Sequence, residues 1–533
     1  MKRQLLWFTV LLWAGCLAAQ GQAIAAPHNK YVRLTSTNLP IVWLTVDSTV
    51  QQDQRITARM KILHNGDGQI NYADTVAHPG QHIDYDGYIA LRYRGRSSYT
   101  YSSKKPYSLR PLNKPLEQGG SWVKVSLLGM GKDNNWALLA PYADKSMIRD
   151  MLAFEISRPW MEYTPQGRYC ELIYNGTYYG VFILSEVVSK GRYRLHLDDP
   201  GEEGDEITGG YMMEVERNDD VEEVYRSRRH PVLSDGTPIT TSYIYFQYKI
   251  PDYEDLTIAQ RFYIQQSINS METALAFDRY RDQETGECTL IDEMSFIDYQ
   301  LAMEIGHNVD GYRLSGKFFK RRDSQDPRFK MVVWDMNLAY GNANYHDGWR
   351  TDTWIYQMND LLHANASAST NMVPFWWYTL NNDDTYVARL KQRWAQYRTS
   401  NLTIDSLYHT IDSLTSVITI GGAEQRNYMA YPIWGKYVWP NYYIARNYND
   451  EIAYLKRWLR HRIKWMDQQL GFEGTDTFIK GDINDDDEVN IADVGALTDI
   501  ILSDGTALQA DVNGDGEVTI ADVASLIDLI LQG

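Results

Sequence analysis

Asp310 and Asp335 lie 25 residues apart on either side of a segment patterned as a hairpin. If they share one end of a sheet, one carboxylate can take a proton from a hydroxyl. The other can hold a divalent cation against phosphate oxygens. Either aspartate alone reads equally as a turn or strand-end residue. A second group, Arg94, Arg96, Lys104 and Lys105, brackets a loop at 95–103 that offers Ser97, Ser98 and backbone donors. Cations and N–H groups converging on one loop suit a polyphosphate, although the same residues alone make an ordinary solvated basic hairpin. The third constellation is a repeat: GDINDDDEVNIADV from Gly481 and ADVNGDGEVTIADV from Ala510, offset by 29 residues. Oxygen-bearing side chains recur at loop positions 1, 3, 5, 9 and 12. They are Asp482, Asn484, Asp486, Asn490 and Asp493, then Asp511, Asn513, Asp515, Thr519 and Asp522. With a carbonyl from position 7 (Glu488, Glu517), each copy has the donor spacing of a loop wrapped around one Ca2+, two ions in all.

The elements that must position these groups can be read from periodicity. Alternation over 88–94 predicts a strand, the Gly/Ser/Tyr-rich 95–103 a turn, and a second strand follows from Lys105. The apolar spacing of Ile148, Met151, Leu152 and Ile156 predicts a helix over 145–158 with Asp144 as its cap. RYCELIY and YYGVFILSEV meet at Asn175-Gly176, a strong hairpin signal. A helix around 296–304 runs into the loop carrying His307, Asn308 and Asp310, and strands at 316–321 and 329–334 deliver Asp335. Helical spacing recurs at 258–277, 403–417 and 443–470, where Trp458 and Trp465 read as core residues. The acidic stretch at 203–223 reads as a surface insertion.

Charge is unevenly distributed. Of the net −17, residues 479–533 carry 13 acids and one base, a net of −12, leaving −5 for the rest. The acidity therefore belongs mostly to the repeat, and nothing patterns as a nucleic-acid face. Lys2 and Arg3 precede the run LLWFTVLLWAGCLAA and small residues ending AIAA, which predicts a secretory signal at 1–25. Ala14-Gly15-Cys16 competes as a lipid-attachment site, with Trp13 where leucine is preferred. No later stretch is apolar and long enough for a transmembrane segment. Cys170 and Cys288 could form one disulfide or remain two buried thiols.

The terminal repeat resembles a dockerin, each loop being followed by an apolar helix (VGALTDIIL, VASLIDLIL). The resemblance implies a small all-α module of paired EF-hand-like loop–helix units at 479–533. It implies docking to a cohesin-like or other partner protein outside the cell. Two departures stand out: Asp487 at position 6 instead of glycine, and Ile491-Ala492 and Ile520-Ala521 where many cohesin-binding dockerins carry hydroxyls. Upstream, RYRGRSS with KKPYSL, WALLAPYADKSMIRD, ELIYNGTYYGVFILSE, NVDGYRLSGKFFK and VVWDMNLAYGN occur in that order over roughly 40–470. These motifs resemble the CotH kinase family of secreted atypical kinases. That resemblance implies an α+β fold, a divergent two-lobed protein-kinase-like domain at 26–470, joined to the dockerin by a linker at 471–478. It implies ATP with Mg2+ or Mn2+ as cofactors and a protein hydroxyl as acceptor. Asp310 would be the base and Asp335 the metal-binding acid. Lys105, or secondly Lys104, would contact nucleotide phosphates beside Arg94, Ser97 and Ser98. Glu155 would partner the lysine and Glu186 would lie near the adenine hinge. Ser315 stands where ordinary kinases place a metal-binding Asn, and Asn337 where the family often has an acid. Two further readings remain at this stage: a structural or adhesion protein on a kinase-like scaffold, and a component of a polysaccharide-degrading extracellular assembly.

Overall fold

The computed structural model describes residues 28–218, 224–365, 371–474, 480–484, 488–502, 510–515 and 517–532. The leader with Cys16, part of the linker, and Asp486 and Asp487 lie outside the described residues. The first half of the chain is mostly strand: β1 (Ser36–Thr37), β2 (Ile41–Thr45), β3 (Ile56–Leu63), β4 (Asn71–Tyr72), β5 (Ile83–Tyr93), β6 (Tyr107–Leu112), β7 (Trp136–Leu139), β8 (Gly167–Tyr174) and β9 (Thr177–Glu186). Seven of these close into a barrel in the order β2-β3-β5-β6-β7-β9-β8. The seam is a parallel pairing, Val42 opposite Leu172. Alternate residues such as Leu44, Met60, Leu91, Leu109, Phe182 and Leu184 turn inward and fill the barrel, as the period of two requires. The β8–β9 turn has φ 45° at Asn175 and φ 76° at Gly176. Asn and Gly are the residues that tolerate this two-residue turn, whose twist matches the strands.

The second half is built on a five-stranded antiparallel sheet flanked by helices. Its strands are β10 (Tyr211–Val215), β11 (Val224–Arg226), β12 (Tyr245–Ile250), β13 (Gly316–Lys320) and β14 (Lys330–Val332), in the order β11-β12-β10-β13-β14. The helix Glu293–Gly306 starts where the Asp292 carboxylate accepts from the Ser295 N–H, and ends at His307 with φ 45°. That left-handed residue turns the chain into the Asn308–Asp310 loop. The helices Ile404–Thr419 and Tyr448–Leu470 begin at the capping side chains Thr403 and Asn447. Trp458 is buried, and Trp465 packs edge-on to Trp354; both belong to the core, as their spacing predicts.

Three sequence expectations change, and one alternative left open is decided. The 95–103 turn contains a short helix, Ser97–Tyr101. The helix expected from 145 starts at Arg149, because Asp144 instead accepts from the Ser146 N–H and pairs with the Arg149 side chain. The acidic stretch at 203–223 holds β10, whose five residues are all buried in the middle of the sheet. Cys170 and Cys288 are both buried free thiols, with no bond between them. At the C-terminal end, helices Ile491–Leu502 and Ile520–Gln532 enclose a small core of Ile483, Leu497, Val512, Val523 and Leu526. Among the described residues no helix is long and apolar enough to cross a membrane.

Candidate active site

Loops at one end of the barrel face the five-stranded sheet across a cleft of ≈470 Å³. The hairpin pattern does what its spacing promised. Lys317 on β13 pairs with Val332 on β14, and both Asp310 and Asp335 line the cleft. Asn308 ties the two together. Its Oδ1 accepts from the Asp310 N–H at 3.2 Å, and its Nδ2 donates to the Asp335 carbonyl at 3.2 Å. Asp335 itself adopts φ 61°, the left-handed region that costs a side-chain-bearing residue about 1–2 kcal/mol. Such strain is held only where the surroundings over-determine it.

The Asp335 carboxylate is the electrostatic focus. Ser315 Oγ donates to Oδ2 at 3.2 Å, and Asn337 Nδ2 donates to Oδ1 at 2.9 Å. The side chain opens onto the cleft while protein surrounds it on its other sides. Burial raises its pKa and the nearby Asp310 charge adds to the rise, against Arg94, the Ser315 bond and Lys317. A third carboxylate, Asp150, lines the same cleft, and burial followed by the Asp335 charge pushes it up to about 7. Asp310 is oriented by Arg313, whose Nη2 lies 2.8 Å from its Oδ1.

Cations face these acids, and of the expected ones Arg94 is present while Lys104 and Lys105 are not. Arg94 extends over the Trp334 ring at 5.2 Å and lies within the fields of Asp335, Asp150 and Glu214. Lys317 donates to Glu214, its direct neighbour on β10, and Lys249 holds the other Glu214 oxygen at 2.9 Å. Burial alone would raise Glu214, yet Lys317 and then Lys249 outweigh it and hold the carboxyl down at about 2. Arg94, Lys249 and Lys317 all line the cleft; Lys104 and Lys105 do not. Lys104 is fully buried behind the barrel wall, donating to the Val181 carbonyl and to Asn427 Oδ1. Burial pulls its pKa down to about 7. Lys105 donates to the Tyr99 carbonyl and lies over the Tyr99 ring.

Two family models match the chain: CotH kinase protein over residues 91–466 and Dockerin type I domain over residues 480–531. The chain belongs to the CotH kinase family. Among curated proteins, none matches it. Within the CotH kinase domain the remaining sequence-derived positions sort clearly. Ser97 and Ser98 line the cleft beside Arg94. Glu155 is exposed and pairs with Arg158 at 2.9 Å, so it is not a lysine's partner in the cleft. Glu186 is buried against Arg194 and Tyr163, and the next two residues, Val187 and Val188, reach the cleft instead. Glu214, Lys317, Lys249 and Asp150 escaped the sequence reading. For Glu214 and Lys317 the available signal was the alternation in YMMEV and SGKFFK, which gives both residues strand positions.

Among the described residues no three His, Cys, Asp or Glu side chains converge on one point. A divalent cation at Asp335 would therefore draw further oxygens from Ser315, Asn337, substrate and water. The donor set fits, because the Asp335 carboxylate opens onto the cleft with the Ser315 hydroxyl and the Asn337 amide beside it.

Dockerin domains bind calcium and dock onto cohesin partners. In the dockerin domain here, the position-12 carboxylates staple the loops. Asp493 accepts from Ile483, Asn484 and Asn490 N–H groups at 2.7, 3.0 and 2.8 Å. Asp522 accepts from Asn513 and Thr519 N–H groups at 3.0 and 2.8 Å. Asp511 accepts from the Gly514 and Asp515 amides, and Asp515 from that of Glu517. In the first loop Asn484 Oδ1 is buried and has no hydrogen-bond partner among the described residues, as suits an oxygen that meets a cation rather than a donor.

Proposed function

We propose that the CotH kinase domain transfers a phosphoryl group from a nucleotide to a hydroxyl of a protein acceptor, and that the dockerin domain anchors this activity to a partner in an extracellular assembly. The observation that carries the reading is the meeting of Asp310 and Asp335 in one cleft with Arg94 and Lys317 beside them. In this scheme the nucleotide base lies toward the apolar wall that includes Val187, Val188 and Met212, and its phosphates lie toward Arg94 and Lys317. A divalent cation held by Asp335 would neutralise phosphate charge. Asp310, fixed by Arg313 and by its own backbone bond to Asn308, accepts the proton of the attacking hydroxyl. Positioned charge of this kind is most of what phosphoryl transfer asks of a protein. The two dockerin loops each take one Ca2+.

The test uses two variants. Asp335→Ala should abolish Mg2+- or Mn2+-dependent thermal stabilisation by nucleotide. Asp310→Asn should retain that stabilisation and lower turnover by about 10²–10⁴-fold, the usual contribution of a positioned base. Phosphorylation of a casein-like acceptor and of the chain itself, read with radiolabelled ATP, supplies the turnover. Autophosphorylation that persists in Asp335→Ala would refute the metal assignment.

One observation favours a second reading, a binding scaffold without turnover. Asn337 donates to Asp335 at a position where the family often has an acid, which lowers the negative charge available to a second cation. A parent chain that gains stability from nucleotide but transfers no phosphate would decide for the scaffold.

A further inference from the structure

Met336 follows the strained Asp335, and the peptide unit joining them is gripped at both ends. Its carbonyl accepts from Asn308 Nδ2 at 3.2 Å, and its N–H donates to Asp150 Oδ1 at 2.8 Å. With φ of Asp335 at 61°, the orientation of that one peptide plane fixes the direction in which the Asp335 side chain leaves the backbone. Asn308 belongs to the same loop as Asp310. Asp150 comes from elsewhere, the first turn of the helix Arg149–Ser157. Its own position is set by its neighbour. Arg149 is buried and bonded to Asp144 at 2.6 Å and to Glu451 at 2.7 Å.

We infer that Asp150 is a positioning residue: it holds the peptide plane after Asp335 in the orientation that aims the Asp335 carboxylate into the cleft. The inference rests on the phosphotransfer reading only for its effect on turnover, since the backbone grip itself is independent of substrate. The link needs an acceptor oxygen at position 150. It does not need a charge there, because a neutral side-chain carbonyl oxygen accepts the same Met336 N–H. Asparagine should therefore serve, and alanine should not.

The experiment compares Asp150→Asn and Asp150→Ala in the full chain. Three readouts are taken: hydrogen exchange at the Met336 amide, thermal unfolding, and Mn2+-dependent transfer from ATP with its kcat and KM. Asp150→Asn should keep Met336 protection within about threefold of the parent and keep turnover. Asp150→Ala should lose at least tenfold in protection and in kcat, with KM for the protein acceptor unchanged and a cooperative unfolding transition retained. The inference is overturned if Met336 stays protected in Asp150→Ala, or if Asp150→Asn loses as much kcat as Asp150→Ala, which would make charge the operative property. A parent without turnover defeats the phosphotransfer reading alone. In that case Met336 protection in the two variants still decides the role of Asp150. Should Asp150→Ala fail to fold, full protection and kcat in Asp150→Asn support the inference, and their loss overturns it.

Discussion

Replacing Arg149 by methionine should destabilise the CotH kinase domain by an amount that depends steeply on pH. The Arg149 side chain is 1% exposed and bridges Asp144 and Glu451, whose side chains are 3% and 4% exposed. Removing one partner of a buried ion pair typically costs about 3–5 kcal/mol, because the remaining charge is stranded. The two acids would not suffer equally. Asp144 keeps the Ser146 and Arg149 N–H groups and the Ser146 hydroxyl as donors. Glu451 hydrogen-bonds to the Arg149 side chain alone among the described residues, so it carries the penalty.

That penalty has a ceiling, because Glu451 can escape it by taking a proton. Starting from an unfolded carboxyl near 4.5, protonation at pH 7 costs about 3.4 kcal/mol, at about 1.36 kcal/mol per unit. At pH 5 the same escape costs only about 0.7 kcal/mol. The sign follows from linkage: in the variant the folded pKa of Glu451 lies above its unfolded value. Its protonated form is therefore tolerated below about 4.5, and stability falls as pH rises. Urea unfolding of parent and Arg149→Met at pH 5 and pH 7 is the assay. Burial outweighs Arg149 and already raises Glu451 in the parent, so the parent shares part of this slope, and the difference between the chains should be larger at pH 7 than at pH 5 by at most about 2.7 kcal/mol. Adding Glu451→Gln should remove that pH dependence. A loss equal at both pH values, or one untouched by Glu451→Gln, would refute the account.

Lys317→Ala should weaken nucleotide binding by about tenfold to a hundredfold, the scale of a charge-assisted hydrogen bond, while Lys105→Ala leaves it unchanged; titration calorimetry with Mn2+ present reads both. Glu214 stays paired with Lys249 in Lys317→Ala, so the fold should survive the change. Asp482→Ala and Asp511→Ala should each lower the calcium stoichiometry from two ions to one, measured by calorimetry against chelator-treated chain. Glu272, bonded to Ser227 and Trp376, is raised to about 7 by burial. It should make the parent lose stability as pH rises from 4.5 through 7, and Glu272→Gln should flatten that slope in urea titrations at pH 5 and 8.

What could be read from sequence was what nearby residues decide. The Asn175-Gly176 turn depends on two residues, and the Asp310–Asp335 meeting depends on one hairpin whose strands pair Lys317 with Val332. Both were legible for that reason. The same holds for the dockerin loops, where each ligand's neighbours lie within about a dozen residues. The errors share the opposite cause. Lys104 looked like a phosphate contact because it flanks the same 95–103 loop as Arg94. In the fold its amine reaches Val181 on β9 and Asn427 on the helix Ala423–Ala430 instead. Glu214 looked like part of an acidic surface. A strand 103 residues later, β13, sets Lys317 directly opposite it, and both residues line the cleft. Asp150 drew no sequence reading of its own, and the amide it holds lies 186 residues away. In each case the chemistry of the side chain was legible, and its address was set by a contact that no local pattern encodes. Asp310 and Asp335 flank one hairpin and Arg94 borders one loop, so local pattern reached them. Lys249, Lys317, Glu214 and Asp150 came from sheet neighbours and a distant helix, and only the assembled fold could bring them to the same cleft.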